Sequence, residues 1–328
     1  MKLLVLGGTV FLGRHIVEQA LLAGHDVTLF NRGQSNAELF EGQVEKIIGN
    51  RETDLGKLDG MSFDACIDPS GYIPGPVGSA ARALKDRINR YVFVSSISAY
   101  SNYDHPGMDE SAALAVLPEG VDQTHYDVEH YGPLKVMCEQ AAEAEMPGSV
   151  LQVRSGLIVG PYDPTNRFTY WPARIAKGGQ VLCPPEDFPV QIIHAADQAR
   201  WILHMLETDQ MGEFNVISDQ GTYTMGDIVN AAIKASGSNA IPVYASSEFL
   251  LEQKVGPWME FPLWLPESHI NMSLFNAGKA IASGMTLMPL EEIVSSTLEW
   301  FQGEPQRDWP AGLDETRERE LLETLNNQ

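Results

Sequence analysis

The chain has 328 residues, of which 44% are hydrophobic, so it can bury one large core or two joined ones. Its formal net charge of -22 argues against nucleic acid or an anionic membrane as a partner, because both repel an acidic protein. Cys66, Cys138 and Cys183 are too widely spaced for a disulfide framework or a metal site. Without a signal peptide or a membrane-spanning apolar run, we expect a cytoplasmic protein that holds no metal.

The N-terminal residues predict a strand, a glycine-rich turn, a helix and a second strand. Lys2–Leu6 is a continuous apolar run, typical of a strand buried on both faces of a parallel sheet. Gly7–Gly13 follows, a helical pattern continues to Ala23, and Asp26–Phe30 predicts the second strand. A dinucleotide fingerprint needs this context, because the turn and the helix N-terminus offer N–H groups to a pyrophosphate. The alternative is a tight turn without a ligand.

The fingerprint is imperfect, because Val10 stands where G-x-x-G-x-x-G has its middle glycine. A side chain there limits how closely the backbone approaches a phosphate, so we expect a slightly different path for the turn. The turn residues expected to contact the cofactor are Gly7, Thr9, Phe11, Leu12 and Gly13.

The end of the second strand predicts which dinucleotide binds. Asn31 and Arg32 stand where a carboxylate would normally bind both adenosine ribose hydroxyls. A guanidinium without a neighbouring acid accommodates a 2′-phosphate, so NADP(H) is favoured, with NAD(H) as the alternative. Arg32 could also be a solvated loop residue. Asn50 and Arg51, after the predicted third strand Val44–Ile48, could flank the adenine or add positive charge.

Two further strands predict polar groups at the same sheet edge. Asp64–Asp68 reads as the fourth strand, and Pro69 and Ser70 follow it, where ligands of parallel sheets lie. Ser79–Asp86 reads as a helix, and the fifth strand, Tyr91–Ser96, ends in two serines. A serine hydroxyl there could hydrogen-bond a reacting oxygen, or it could simply end the strand.

Tyr131 and Lys135 lie one turn apart on a predicted helix and project from the same face. A nearby ammonium favours the phenolate, so we expect the pKa of Tyr131 to be lowered towards neutrality. Such a tyrosine can exchange a proton with a substrate hydroxyl or carbonyl. The alternative is an ordinary surface helix, since the pair alone is weak evidence.

Five ordered features together resemble the extended branch of the short-chain dehydrogenase/reductase superfamily, the branch of nucleotide-sugar epimerases and dehydratases. They are the Gly7–Gly13 turn, Asn31-Arg32, Val92–Tyr100, the Tyr131/Lys135 pair and Arg154–Pro161.

The resemblance reaches to about Phe301 and implies a Rossmann-type α/β fold, a doubly wound parallel sheet with a smaller discontinuous C-terminal substrate domain. It implies that Ser96 orients the substrate, that Tyr131 is the acid/base, and that Lys135 holds the nicotinamide ribose. It also places Ser155 beside the cofactor.

Departures from the family pattern narrow the chemistry. Dehydratases of this branch carry an acid directly after the serine or threonine of the fifth strand, where this chain has Ile97-Ser98. Relatives that bind UDP-sugars tend to carry an asparagine at the position of Leu157. They also tend to carry an arginine in the segment that corresponds to Pro189–Ala195, which contains no arginine in this chain. Since those groups form a charge clamp, a nucleotide sugar is not favoured as substrate.

The substrate region is expected to begin at Arg167, where aromatic and basic residues could clamp a sugar ring or an acidic group. A packed helix start is the alternative. Phe249–Leu265, rich in tryptophan and proline, suits either a lid over a pocket or core packing. The residues expected to contact the substrate are Tyr72, Ser98, Arg167, Tyr170, Arg174 and Trp258.

We therefore predict residues 1–160 plus about 190–220 as the NAD(P)-binding domain, and about 161–189 plus 221–305 as the substrate-binding region. Residues 306–328 form a charged tail, expected as an exposed or frayed helix. Small apolar residues on the tyrosine helix favour a homodimer, as the resembled family uses that helix at its interface. They are Val136, Met137, Ala141, Ala142 and Ala144.

The predicted function is an NADP(H)-dependent oxidoreductase, or an epimerase acting by transient oxidation, on a sugar-like or other hydroxylated small molecule. The alternative is a non-catalytic dinucleotide-binding or RNA-associated protein, because some relatives of this fold have such roles.

Overall fold

A seven-stranded parallel sheet forms the centre of the protein, in a computed structural model that describes residues 1–305 and 310–327. The strand order is β7-β6-β5-β4-β1-β2-β3, and every neighbouring pair is parallel. The strands are β1 Lys2–Leu6, β2 Asp26–Asn31, β3 Glu45–Ile48, β4 Ala65–Asp68, β5 Arg90–Ser96, β6 Val150–Ser155 and β7 Gly212–Val216.

The order reverses between β1 and β4, so the loops after these two strands diverge and leave a crevice at their carboxyl ends. Leu3 of β1 pairs with Val27 of β2 on one side and with Ala65 of β4 on the other. This arrangement confirms the predicted doubly wound parallel sheet.

Ten α-helices lie in the described part of the chain, and four of them cover the sheet. One face carries α1 against α5, and the opposite face carries α2 against α3. Both faces of each central strand are therefore buried, which explains the continuous apolar runs. The helices are α1 Phe11–Leu22, α2 Pro74–Leu84, α3 Tyr131–Glu145, α4 Tyr170–Ala176, α5 Ala195–Glu207, α6 Met225–Ser236, α7 Ser247–Glu252, α8 Gly278–Ala282, α9 Leu290–Gly303 and α10 Glu315–Asn326.

A second hydrophobic core, centred on the fully buried Trp171 and Trp264, is enclosed by α4, α6 and α9. Thr224 caps α6 through a reciprocal hydrogen-bond pair with Asp227, as its position before the helix predicts. Outside the central sheet, the described residues form four two-stranded pairings: Gln180–Cys183 with Ile241–Tyr244, Pro189–Val190 with Tyr223–Thr224, Ile158–Val159 with Ile193–His194, and Pro257–Trp258 with Phe261–Pro262. The predicted division into two domains stays a prediction.

The C-terminal helix corrects one expectation. α10 forms after the N-cap Asp314 and buries Leu321 and Leu322 in the second core, so it is amphipathic and not merely exposed or frayed. Residues 306–309 and 328 of the predicted tail lie outside the described residues. Within the described part of the chain, no helix combines the length and apolar character needed to cross a bilayer.

Candidate active site

The glycine-rich turn after β1 forms a tightly packed backbone cradle that side chains would disrupt. Gly7 and Gly8 have φ angles of 114° and 90°, which disfavour residues with a Cβ. A Cβ atom at Gly8 would lie 2.7 Å from the Leu29 side chain, and one at Gly13 would lie 3.1 Å from the Gly8 backbone. Val10 has an extended backbone and is half-exposed, so its side chain leaves the cradle open.

Asparagine side chains brace this turn from β2 and the loop after it. Asn31 Nδ2 donates a hydrogen bond to the Gly7 carbonyl (2.8 Å), and Gly7 N–H donates to the Phe30 carbonyl (2.9 Å). Asn36 Nδ2 donates to the Thr9 carbonyl (2.8 Å), a contact that sequence reasoning missed because no motif marks that loop. Asn31 is thus engaged with the turn, and a cofactor would meet a preformed backbone path.

The predicted residues after β4 join the same crevice. Ser70 Oγ donates to the Leu6 carbonyl (2.8 Å), and a Cβ at Gly7 would lie 3.6 Å from that hydroxyl. Pro69 Cγ would lie 3.5 Å from a Cβ at Gly13. Of the remaining turn residues, Phe11 begins α1 with a φ of 36°. Leu12 is buried in the core beneath it.

The two arginines predicted to bind the adenosine end have different environments. Arg32 is exposed, and in the described part of the chain it has neither an ion pair nor a hydrogen bond from its side chain. Arg51 donates two hydrogen bonds to the fully buried Asp68, at 2.8 and 2.6 Å, and Asp68 also accepts one from Tyr91.

The Arg51–Asp68 pair corrects the prediction that Arg51 adds positive charge for the cofactor. Burial opposes both charges, yet their mutual attraction keeps the pKa of Arg51 above its ordinary value and that of Asp68 below it. Asn50 forms a local turn, because its amide oxygen accepts a hydrogen bond from the Glu52 N–H (3.0 Å).

Tyr131 and Ser96 meet because α3 begins directly against the turn after β5. A Cβ at Gly132 would lie 2.0 Å from the Ser98 carbonyl, so only glycine allows this approach. Burial raises the pKa of Tyr131 to about 12, and the nearby Ser96 side chain acts in the opposite direction. Ser96 Oγ accepts a hydrogen bond from the Ser98 N–H (3.1 Å). The structure therefore brings Ser96, Ser98 and Tyr131 together.

Lys135 is buried at the ends of β4 and β5. Its Nζ donates to the Gly71 carbonyl (2.7 Å) and the Val94 carbonyl (2.6 Å), and burial lowers its pKa to about 8. The predicted lowering of the Tyr131 pKa by this ammonium is wrong for this structure. The phenol is buried, which favours its neutral form, and the ammonium is held by two carbonyl groups.

Three tyrosine rings surround the entrance to this site. The ring centroids of Tyr72 and Tyr131 are 6.4 Å apart, and Tyr126 lies 5.4 Å from Tyr72 and 6.3 Å from Tyr131. Tyr72 and Tyr126 are each about half exposed. Sequence reasoning identified Tyr72 and missed Tyr126, which lies in a long loop without a periodic pattern.

A small, mostly apolar cavity of about 20 Å³ lies next to Ser96. Ile97, the residue after Ser96, forms part of its wall, and Trp258 forms another part. Arg167 stacks on the Trp258 ring, with its guanidinium carbon 4.9 Å from the ring centroid. Trp258 thus lines the cavity and Arg167 packs against it, and their contact with a substrate stays a prediction. The lining residues are Ile97, Leu157, Val190, Gln191, Ile217, Trp258, Leu263, Met272 and Ser273.

The tryptophan-rich segment combines the two expectations made for it. Phe261 and Trp264 are fully buried in the second core, whereas Trp258 is partly exposed at the cavity. The Trp258 N–H donates to the Trp264 carbonyl (3.1 Å), which holds Trp258 at a φ of 66°. A non-glycine residue with a positive φ is kept in that backbone conformation by the packing around it, and such residues cluster at functional sites.

Three predicted site residues lie elsewhere. Arg174 forms an ion pair with Glu318 at 2.6 Å and donates to two backbone carbonyls of its own loop, so it is a structural residue. Tyr170 is buried in the second core. The Ser155 hydroxyl accepts a hydrogen bond from Gln198 Nε2 (2.7 Å) and is buried. Local sequence patterns cannot show these partners, because they come from distant segments.

Part of the predicted dimer surface is used within the chain. Val136 and Ala142 are buried, and a Cβ at Gly78 of α2 would lie 3.4 Å from that of Ala141. Met137 and Ala144 keep part of their surface exposed. A dimer through α3 therefore stays a prediction that rests on fewer residues.

Among the residues that the structure describes, one cluster of potential metal ligands lies in the loop before α3. The ligand atoms of Asp127, Glu129 and His130 are within 4.8 Å of one another. Asp127 and Glu129 are exposed, and exposed acidic groups are common without a metal.

Comparison with known proteins identifies the relatives of this chain. Residues 77–217 match the NAD dependent epimerase/dehydratase family. The chain is 26% identical over 258 residues to the chloroplast stem-loop binding protein of 41 kDa b of Arabidopsis thaliana, covering 72% of this chain and 63% of that protein. It thus spans less than two-thirds of that relative's length.

Solved structures share the fold at low identity. The UDP-Glc/GlcNAc 4-epimerase of Campylobacter jejuni superposes with a TM-score of 0.69 at 16% identity, covering 92% of this chain and 99% of the epimerase. The Bordetella bronchiseptica enzyme WbmH, solved in complex with NAD+, gives a TM-score of 0.66 at 15% identity, covering 92% and 98%.

Proposed function

We propose that the chain is an NAD(P)-dependent oxidoreductase or epimerase of the extended short-chain dehydrogenase/reductase type. The match of residues 77–217 to the NAD dependent epimerase/dehydratase family and the epimerase-like fold support this proposal. The observation that carries the proposal is the meeting of Tyr131 with Ser96 at the sheet edge that also holds the glycine cradle. In this proposal the substrate is a hydroxylated small molecule.

The turn fits a dinucleotide pyrophosphate, because Gly7 and Gly8 hold a tight positive-φ path and Gly13 lets α1 begin against that backbone, so that N–H groups at the start of the helix face the crevice. When bound, the nicotinamide supplies hydride acceptance and donation. We assign the 2′-phosphate of NADP(H) to Arg32, whose exposed guanidinium has no acidic partner among the described residues. Lys135, at the ends of β4 and β5, is assigned to the nicotinamide ribose.

Tyr131 moves the proton in this mechanism. Since its pKa is about 12, the phenol is protonated at neutral pH and can give its proton to a substrate carbonyl oxygen. In the oxidative direction the phenol must first lose that proton, so the rate should rise with pH. The Ser96 hydroxyl hydrogen-bonds the same substrate oxygen and orients it towards the phenol.

The substrate side favours a compact molecule over a nucleotide sugar. Leu157 lines the cavity where UDP-sugar relatives tend to carry asparagine. Gln191 lies in the segment without their arginine, and its side chain makes three hydrogen bonds, with the Ser218 carbonyl and the Phe275 backbone. Neither residue supplies a free donor for a diphosphate.

Substitution of Tyr131 by phenylalanine tests the proposal, because it removes the proton carrier and keeps the ring. Absorbance of NADPH is followed with a panel of hydroxy acids, sugars and their ketones. We expect turnover to fall by about 10²–10⁴, the range for general acid–base catalysis. Tyr126→Phe is the matched control in the same ring cluster and should stay near wild type. Near wild-type turnover in Tyr131→Phe would remove the assigned role.

A second candidate function is RNA association, which the Arabidopsis relative favours through its name as a stem-loop binding protein. The net charge of -22 argues against it, because phosphate backbones repel acidic surfaces. Filter binding with a stem-loop RNA at 50 and 200 mM salt separates the two. Saturable RNA binding without dinucleotide binding would favour this candidate.

Self-association is proposed separately, through the exposed remainder of α3 around Met137 and Ala144. Sedimentation at micromolar concentration should show a dimer, and a monomer at all concentrations would exclude it.

A further inference from the structure

Arg167 presents hydrogen-bond donors that the fold does not use. Its Nε donates to Thr165 Oγ1 (3.2 Å), and its terminal nitrogens make no hydrogen bond or ion pair with the residues 1–305 and 310–327. The side chain is only partly exposed, and burial lowers the pKa of its guanidinium. A half-buried guanidinium retains the cost of lost hydration unless a ligand supplies acceptors.

The position of Arg167 is fixed relative to the reacting groups. Its guanidinium lies on the Trp258 ring, and Trp258 shares a cavity wall with Ile97, the neighbour of Ser96. Trp171 Nε1 donates to the Pro262 carbonyl (3.1 Å), which anchors the segment that carries Trp258 to the second core. Burial raises the pKa of Tyr131, and the charge of Arg167 is one of the smaller effects that oppose this rise, so the two groups interact electrostatically.

The charge balance of the cavity favours a monoanion. As far as the chain is described, the cavity lining contains no lysine, arginine or acid, and Arg167 lies against its Trp258 wall. The buried Asp163 also interacts electrostatically with Arg167, so part of this positive charge is already balanced. One guanidinium matches one carboxylate in charge and in its two-pronged geometry. A diphosphate would bring at least two negative charges, and one of them would be unpaired.

We propose that Arg167, stacked on Trp258, binds a carboxylate of the substrate, so that the substrate is a small hydroxy acid or the matching keto acid. This inference rests on the proposed function for the position of the reacting hydroxyl, next to Ser96 and Tyr131. Arg167 is then a specificity-determining residue of that site.

Binding of matched acids and amides tests the inference without requiring turnover. The NADP+-saturated protein is titrated with 2-hydroxybutyrate, 3-hydroxybutyrate and their uncharged amides, with tryptophan fluorescence as the readout. At least one acid should bind about tenfold to a hundredfold more tightly than its amide, as expected for hydrogen bonds to a charged group. Arg167→Gln should abolish this preference, and Arg167→Lys should keep an intermediate one, because it retains charge without the planar fork.

Arg82→Gln is the matched control, because Arg82 is an exposed arginine on α2 paired with Glu145, and the preference should persist there. The inference is overturned if wild type shows no preference for either acid, or if Arg167→Gln retains it. It is also overturned if UDP-glucose or glycerol 3-phosphate binds more tightly than both acids through Arg167.

The test also separates this inference from the proposed function. Tyr131→Phe should keep the acid preference, since it alters the proton carrier alone. An Arg167-dependent preference without hydride transfer in wild type would support the carboxylate site and contradict the oxidoreductase proposal.

Discussion

The nucleotide edge and the substrate cavity are built in different ways. At the nucleotide edge, Gly7, Gly8 and Gly13 shape a backbone cradle within seven consecutive residues. The substrate cavity instead collects side chains from separate segments, with Ile97, Leu157 and Trp258 far apart in sequence. A backbone site depends on local conformation, and a side-chain site depends on tertiary packing. Disrupting each region should therefore have separable effects.

Removing Arg51 should produce the largest change in stability, because it is a structural residue of the nucleotide side. Arg51→Ala leaves the fully buried Asp68 without its cation, and breaking such a pair costs about 3–5 kcal/mol of unfolding free energy. Arg82→Ala, the loss of an exposed ion pair, should cost about 1 kcal/mol or less. Urea denaturation measures both, and equal losses would contradict the structural role of Arg51.

The burial of Lys135 should make the unfolding free energy depend on pH. Its pKa is lowered from 10.5 to about 8 by burial, so between these values the unfolded chain binds more protons than the folded one. Stability contributed by this group therefore rises as pH increases from about 8 to 10.5.

The unfolding free energy of wild type minus that of Lys135→Met should increase by on the order of 3 kcal/mol across that window. The subtraction removes the groups common to both proteins. A difference that stays flat between pH 8 and 10.5 would show that Lys135 titrates normally.

The contrast between the regions also explains what the sequence could predict. The strand–turn–helix pattern indicated the cradle, because the signals of its strand, glycines and helix are local. The Tyr131/Lys135 spacing indicated the helix face but not the direction of the Tyr131 pKa, which depends on burial. Arg51 and Arg174 were misassigned because their partners, Asp68 and Glu318, are distant in sequence. Nothing local distinguishes a paired arginine from a free one.

Substitution of Arg32 should have the smallest of these effects, because it should change the affinity for NADPH alone. Arg32→Ala removes one guanidinium–phosphate contact, so NADPH affinity should fall by about tenfold to a hundredfold. NADH affinity should be unchanged, and it serves as the internal control. Equal affinities for the two cofactors in wild type would contradict the assignment of Arg32.

The most direct test asks whether cofactor binding and proton transfer depend on different residues. It measures the dissociation constant of NADPH for wild type and for Tyr131→Phe by nicotinamide fluorescence. The cradle lies in the backbone after β1, and the phenol lies at the start of α3. We predict saturable binding to both proteins, with dissociation constants within about tenfold of each other, although turnover falls by about 10²–10⁴. Absence of saturable NADPH binding to wild type, or a loss of affinity that parallels the loss of turnover, would contradict this account.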